Sequence, residues 1–439
     1  MFRNIIKKII ILILTLEARL VLFKYRPKIV AVIGSVGKTT TKDAVFAVLQ
    51  TVSFVRKSEK SFNSDIGVPL SILGLPNGWS DKKIWFSNII EGIRLIVLKN
   101  HYPSWLVLEV GADRPGDISR IASWLKPDVI IVTQFGSVPV HVEFFESPEA
   151  LEEEKGTLIS SLKNGGILVL NHDDGRVMRF EKKAKNARII TFGFKEGVRL
   201  KASNDEIIYH KNKTTGIRAP MGITFKIEYM GNTMPVRLSG GFGKSAIYSA
   251  LGALAFASVE GINLVTAARA LGVMSLPPGR MRLIKGIKNS FLIDDTYNSS
   301  PVAAHSALDT LSILERANGG RKIAVLGDML ELGKYSSRAH KELGEYAARV
   351  CDMLIGVGLR AENIIKGARD AGMNQASVMN VKTSEEAGKI LFEILNRGDI
   401  VLIKGSQSIR MEKAVKMIME NSEKAEKLLV RQEPVWETK

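Results

Sequence analysis

The residues best suited to chemistry form one continuous stretch, Gly34-Ser35-Val36-Gly37-Lys38-Thr39-Thr40. It stands between an apolar run, KIVAVI, that reads as a buried strand, and KTTTKDAVFAVLQTV, the helix that strand feeds. Phosphate binding needs this arrangement. Glycines let backbone N–H groups close on oxygen, and a helix start adds positive potential. Lys38 would pair with β and γ phosphates, and the Thr39 hydroxyl would complete a Mg²⁺ shell. The longer form of such a loop has glycine where this chain has Val32, so the motif is a shortened G-x-x-G-K-T-T. The alternative is a plain glycine turn ahead of a helix.

Other groups sit where strands end. Glu109 closes SWLVLEVGA, either as a hard oxygen ligand for Mg²⁺ or as a carboxylate facing water. His141 follows VTQFGSVPV and reads as a packed or surface residue, or as a ligand. Lys155 lies among glutamates in EALEEEKGTL, a pattern that suits a solvated i,i+4 charge network. Turn-like segments at 61–69, 294–301 and 404–408 carry polar side chains beyond apolar runs, which suggests a cleft between domains.

Positioning these groups takes α/β architecture. From Lys28 onward, short apolar runs alternate with helical stretches, which implies a mostly parallel sheet with helices on both faces. Residues 198–240 are broken by Gly, Asn and Pro and read as a small antiparallel insertion; a helix follows at about Lys244–Val259. SLPPGRMR marks a boundary, and a second α/β domain follows it. The expected division is 1–27, 28–281 and 282–439, with ligands gathering beyond the carboxyl ends of the strands. The tail, QEPVWETK, reads as frayed.

Residues 2–24 read as an amphipathic helix. Ile5, Ile9, Leu12, Ile13, Leu16, Leu20 and Phe23 share one face, and Lys7, Lys8, Thr15 and Arg19 lie opposite. Glu17 and Arg19 interrupt the apolar run, against a spanning helix, and no small-residue cleavage site follows. The apolar face lies in a membrane interface or packs on protein.

Composition narrows the classes. Hydrophobic residues make up 45% and charged residues 24%, which excludes a disordered chain. A single cysteine, Cys351, excludes an internal disulfide and a cysteine zinc site, as in a reducing compartment. The net charge of +17 fits anionic partners, but it is spread along the chain without an arginine-rich arm or aromatic stacking motif, so no nucleic-acid partner is expected.

GSVGKTTTKD, FNSDIGVPL, LEVGADRPGDI, EEKGTL, GRMR, IDDTYNSSP, VLGDMLELG with His340, and LIKGSQSIRME occur in that order. Together they resemble the Mur ligase family, the ATP-dependent amide-forming enzymes of peptidoglycan synthesis. The resemblance implies a P-loop central ATPase domain and a Rossmann-like C-terminal domain that closes on it. It implies ATP and two Mg²⁺ ions, and an acyl phosphate formed from a substrate carboxylate. An amine, D-Ala-D-Ala or similar, then joins a cell-wall precursor peptide. Gly34, Ser35, Gly37, Lys38, Thr39 and Thr40 would hold phosphate. Thr39, Glu109, His141 and Lys155 match metal-ligand positions, Lys155 as a carbamate, and Lys38, Lys155 and His141 match catalytic ones. Arg280, Asp295 and Asn298 match nucleotide contacts. Asn63 matches a substrate-side loop, and Asp328, Lys404 and Ser406 the incoming-amine side.

The chain departs from the family pattern in two places. The adenine-pocket pattern G-x-H-N-x-x-N is Gly243-Lys244-Ser245-Ala246-Ile247-Tyr248-Ser249 here. Only residues 1–27 precede the ATPase domain, where relatives carry a UDP-sugar domain. The first helix is then expected to bring a cytoplasmic enzyme to a membrane-bound substrate, or to dock a partner protein. Other readings are a poly-γ-glutamate- or folate-type ligase, and a nucleotide-binding regulatory protein.

Overall fold

The computed structural model describes all residues except Met1, 60–61, 80, 185, 212–217, 317–318 and 437–439, and side chains from residue 6 onward. The side chain of Ile5, Ser61 at the head of the 61–69 segment, residues 212–217 of the 198–240 stretch and the last three tail residues therefore lie outside the described set.

Aliphatic runs buried on both faces form parallel strands, because neither face of such a strand can be left to water. β1 (Lys28–Ile33), β2 (Val55–Lys57), β3 (Trp105–Glu109), β4 (Val129–Val132), β5 (Ile167–Asn171) and β6 (Arg188–Gly193) run in the order β2-β3-β1-β4-β5-β6. All of these pairings are parallel. β7 (Leu200–Lys211), β8 (Arg218–Tyr229) and β9 (Asn232–Ser239) continue the same nine-stranded sheet. β7 joins β6 in parallel, and the rest pair antiparallel. The antiparallel part is thus an extension of the sheet edge, not a separate body.

Period-two side-chain alternation splits β1 between two cores. Val30 and Val32 face α2 (Lys38–Leu49) and the helix Gly243–Val259, while Ile29, Ala31 and Ile33 face the opposite layer. The second sheet has six strands in the order β10-β11-β15-β12-β13-β14. They are β10 (Arg282–Lys285), β11 (Phe291–Asp295), β12 (Lys322–Gly327), β13 (Met353–Val357), β14 (Val378–Val381) and β15 (Ile400–Lys404). Only β10 pairs antiparallel.

The first helix, α1 (Phe2–Tyr25), packs on α3 (Gly67–Leu73) and α4 (Lys82–Val97). The stripe that packs is Leu14, Ala18 and Val21, each fully buried. The stripe singled out from the sequence points the other way: Ile9, Leu12, Leu16, Leu20 and Phe23 are exposed, and Ile13 is half-buried. The helix is apolar on two sides, so hydrophobic periodicity alone could not say which side meets the protein.

Between α1 and α4, Gly92 leaves room for the Glu17 carboxyl, which a Cβ there would meet at 2.2 Å. Burial without a hydrogen bond to Oε2 raises the Glu17 pKa to about 7. The folded state then holds a proton that the unfolded chain releases, so this group's contribution to stability falls as pH rises from about 4.5 to about 7. Glu17→Gln is expected to melt higher than the parent at pH 8 and to converge with it below pH 4.5, read by thermal denaturation at both pH values. A constant gap would assign the effect to packing instead.

Candidate active site

β1 lies between β3 and β4, where the order of connections reverses, so its carboxyl end opens a crevice. The chain leaves β1 through Gly34, whose φ of 141° brings the backbone so close to Thr133 that a Cβ would sit 2.1 Å from its hydroxyl. The Ser35 and Val36 amides donate to the Gln134 carbonyl at 2.7 and 3.2 Å, which ties the loop to the end of β4. Gly37, with φ 83°, then starts α2 without a side-chain cap. The first-turn amides of α2 at Lys38, Thr39 and Thr40 have no intrahelical acceptor and are open to an anion. A loop of this geometry can hold an anion such as phosphate.

Glu109 ends β3 and does not face water; it is 1% exposed. The Thr39 hydroxyl donates to its Oε2 at 2.8 Å, and Asn63 Nδ2 donates to Oε1 at 2.9 Å. Hydroxyl and carboxylate oxygens placed together are a donor set suited to Mg²⁺. Among the described residues, no cluster of three or more His, Cys, Asp or Glu could hold a metal without such help.

Lys155 is not part of a solvated charge network. It lies on the helix Pro148–Gly156, is 4% exposed, and donates to the Ser35 hydroxyl at 2.9 Å. Its neighbouring glutamates are engaged elsewhere: Glu152 with Arg176 and Glu154 with the amides of Ile118 and Ser119. Burial, then the charge of Lys38, holds the Lys155 pKa well below the usual lysine value. Lys38 is lowered as well, again by burial first, with Glu109 opposing. An ammonium at Lys155 would repel a second cation, whereas its carbamate would attract one.

His141 adopts φ 72° and joins the two halves of the molecule. Its Nδ1 lies 2.6 Å from Glu331, in the loop after β12, and its Nε2 3.3 Å from Asp113, after β3. The contact with His141 holds the Glu331 carboxyl below its usual range.

The second sheet supplies the opposite wall. Arg280 brings Nη2 to 3.4 Å from the Thr39 hydroxyl and stacks its guanidinium 4.0 Å from the Tyr297 ring centre. At the ends of β11 and β15, Lys404 Nζ donates to Asp295 at 2.6 Å and to the Asn298 carbonyl at 2.9 Å. The Ser406 hydroxyl accepts from the Leu330 amide at 2.8 Å. A cavity of ≈ 570 Å³ between the sheets is lined by Lys38, Glu109, His141, Lys155, Arg280 and Ser406, with Asn63 and Asn298 on its walls. Thr39, Thr40, Asp295 and Lys404 line an adjoining recess together with Ser245 and Ala246. Asp328 lines neither: its carboxylate accepts from the Ala361 amide at 2.8 Å. His340 is buried and accepts the Met329 amide at 2.9 Å, so it shapes the loop after β12.

The sequence reading did not single out Asp113, Glu331, Tyr297 or Trp436. Asp113 and Glu331 stand inside motifs it quoted, but their partner His141 is distant in sequence. The tail is not frayed as far as Trp436. Arg431 is buried and donates to the Thr296 and Tyr297 carbonyls and to Glu412, and Arg410 donates to the Trp436 carbonyl at 2.8 Å. Trp436 thereby lines the cavity and meets Trp79 of the central domain edge-on, ring centres 6.2 Å apart.

The Mur ligase middle domain matches residues 32–257, and the Mur ligase glutamate ligase domain matches residues 279–407. The UDP-N-acetylmuramoyl-tripeptide–D-alanyl-D-alanine ligase of Bacillus subtilis is 28% identical over 395 residues, covering 90% of this chain and 76% of the relative. The Escherichia coli protein of the same name is 26% identical, over 90% of this chain and 77% of its own length. The crystal structure of Thermotoga maritima MurF ligase in complex with ADP superposes with a TM-score of 0.74 at 26% identity, covering 94% of this chain and 84% of that one.

Proposed function

Since the chain belongs to the Mur ligase family, we propose that it is an ATP-dependent carboxylate–amine ligase that adds D-Ala-D-Ala to a muramoyl-tripeptide precursor in peptidoglycan synthesis. One observation carries this reading. A phosphate cradle with Lys38, Thr39 and Glu109 faces Arg280, Asp295 and Lys404 across one cleft, so phosphoryl donor and acceptor peptide would meet between the sheets.

The α2 amides and the Lys38 ammonium hold the β and γ phosphates. A substrate carboxylate oxygen attacks the γ phosphorus, and the bond to the ADP oxygen breaks. The amine nitrogen then attacks the acyl carbon, and the C–O bond to phosphate breaks. Arg280, held over Tyr297 and near Thr39, places positive charge where the leaving oxygens gain negative charge. Mg²⁺ at Thr39 and Glu109 would supply Lewis-acid polarisation of the phosphates. Burial and the Lys38 charge weigh against the ammonium at Lys155 and so favour the free amine, the form that adds CO₂ with loss of a proton; the carbamate would ligate a second Mg²⁺ together with His141. Lys404, Asp295, Asn298 and Asn63 position nucleotide and peptide, and Ser406 and the loop fixed by Asp328 border the incoming amine.

With Ser245 and Ala246 in the recess, adenine would be held by shape and backbone more than by side-chain hydrogen bonds. The exposed stripe of α1 supports contact of residues 1–24 with a membrane face or a partner protein, a choice taken up below. ATP-dependent phosphate release across a matrix of acceptors and amines tests the proposal. Release that needs both UDP-muramoyl-tripeptide and D-Ala-D-Ala, with a product heavier by one dipeptide, is expected. Release only with a γ-glutamyl or folate-type acceptor would move the substrate. ATP binding without turnover on any pair would favour a regulatory protein.

A further inference from the structure

We propose that α1 and α4 together form a docking face for an anionic lipid bilayer. On α1, Leu12, Leu16 and Phe23 are 70%, 55% and 74% exposed; on α4, Phe86, Ile93 and Val97 are 67%, 49% and 72% exposed. These spacings put each set on one stripe of its helix.

The two stripes face the same way. Glu17 lies against Gly92, and farther along both chains Lys24 Nζ donates to the Leu95 and Ile96 carbonyls at 3.0 and 2.9 Å. The helices therefore run parallel and side by side. At 3.6 residues per turn, each apolar stripe lies roughly a third of a turn from its contact line, in opposite rotational senses, which brings both to the side away from the core. Tyr25 adds a hydrogen bond to the Leu95 carbonyl at 3.0 Å, so the pair is a fixed platform.

Charge selects the occupant. Lys8 and Arg19 border the stripe on the outer side of α1, and Lys83 and Arg94 border it on the outer side of α4, all exposed. Of the acidic groups within the two helices, Glu17 is buried and Glu91 offsets only Arg94, which it meets at 2.7 Å, so Lys8, Arg19 and Lys83 carry the positive rim. An apolar stripe flanked by cations matches acyl chains beneath anionic headgroups. It would repel a second copy of itself. No helix among the described residues is long and apolar enough to cross a membrane, so contact would be lateral. α1 packs on α3, the helix that follows the loop carrying Asn63, so the face lies on the side of the molecule that holds that loop.

The test is flotation of the full-length chain with vesicles of phosphatidylglycerol and phosphatidylcholine at low salt, against pure phosphatidylcholine vesicles. Co-flotation with the anionic vesicles, at least tenfold above the neutral ones, is expected. The double variant Leu12→Glu/Phe86→Glu, altered only at exposed positions, should lose it at least tenfold with an unchanged melting temperature. Absence of vesicle binding by the folded parent, or binding unaffected in the double variant, overturns the proposal. So does a dimer that the double variant dissociates while vesicles remain unbound. Flotation needs no turnover, so failure of the ligase reading leaves this result interpretable, and failure here leaves the ligase reading intact.

Discussion

Replacing Lys38 with alanine is expected to lower turnover by roughly a thousandfold or more while leaving the fold intact. The lysine stands at the start of α2, and its charge is held in a desolvated site, where burial lowers its pKa more than Glu109 and Asp113 raise it. The protein therefore tolerates this ammonium at a cost, and removing it should not lower the melting temperature. A pre-placed charge contributes most when negative charge develops on the transferring phosphoryl group, because no reorganisation is needed at that moment. The effect should fall mainly on kcat, with a smaller change in the KM for ATP. Near-parental turnover in Lys38→Ala would refute the phosphate-cradle assignment outright.

Lys155→Ala is the second large effect, a loss of roughly a hundredfold to a thousandfold, partly restored by added formate or acetate. The side chain is buried, donates to the Ser35 hydroxyl, and lies close enough to Lys38 for that charge to disfavour its own. Burial and the Lys38 charge both weigh against the ammonium form, which suits the proposed conversion of this amine into an anionic ligand. A short carboxylate can occupy the vacated volume and supply the missing anion, so rescue separates a carbamate role from a packing role. Full activity in the alanine variant, or loss without rescue by any small anion at concentrations that leave the parent unaffected, would count against the carbamate.

These expectations rest on residues that differ in how visible they are in the sequence. The loop from Gly34 to Thr40 was legible because all its requirements are local: a strand, two glycines and a helix start in one stretch. Lys155 was not. Its neighbours in sequence are glutamates, which read as a solvated helix, and its burial against Ser35 arises only when the helix Pro148–Gly156 folds over the carboxyl end of β1. His141 was noticed for its place after a strand, but its meaning comes from Asp113 and Glu331, contributed by different sheets.

The strands left unassigned from the sequence, β2, β10 and β14, are three or four residues long and all lie at sheet edges. Such strands bury little and leave no long apolar run to find. Conversely, the apolar surface of α1 was plain, but a helix with two apolar sides does not say which one is covered. Leu14, Ala18 and Val21 are the side that is covered, and Gly92 leaves room for Glu17 where α1 passes α4.

The central claim is that this cleft joins a carboxylate to an amine through an acyl phosphate. An acceptor labelled with ¹⁸O in its reacting carboxylate, incubated with ATP and the amine, tests it most directly. The account predicts one ¹⁸O atom transferred to each phosphate released, in step with amide product. Phosphate released without the label would mean that water, not the carboxylate, attacks the γ phosphorus, and would contradict it.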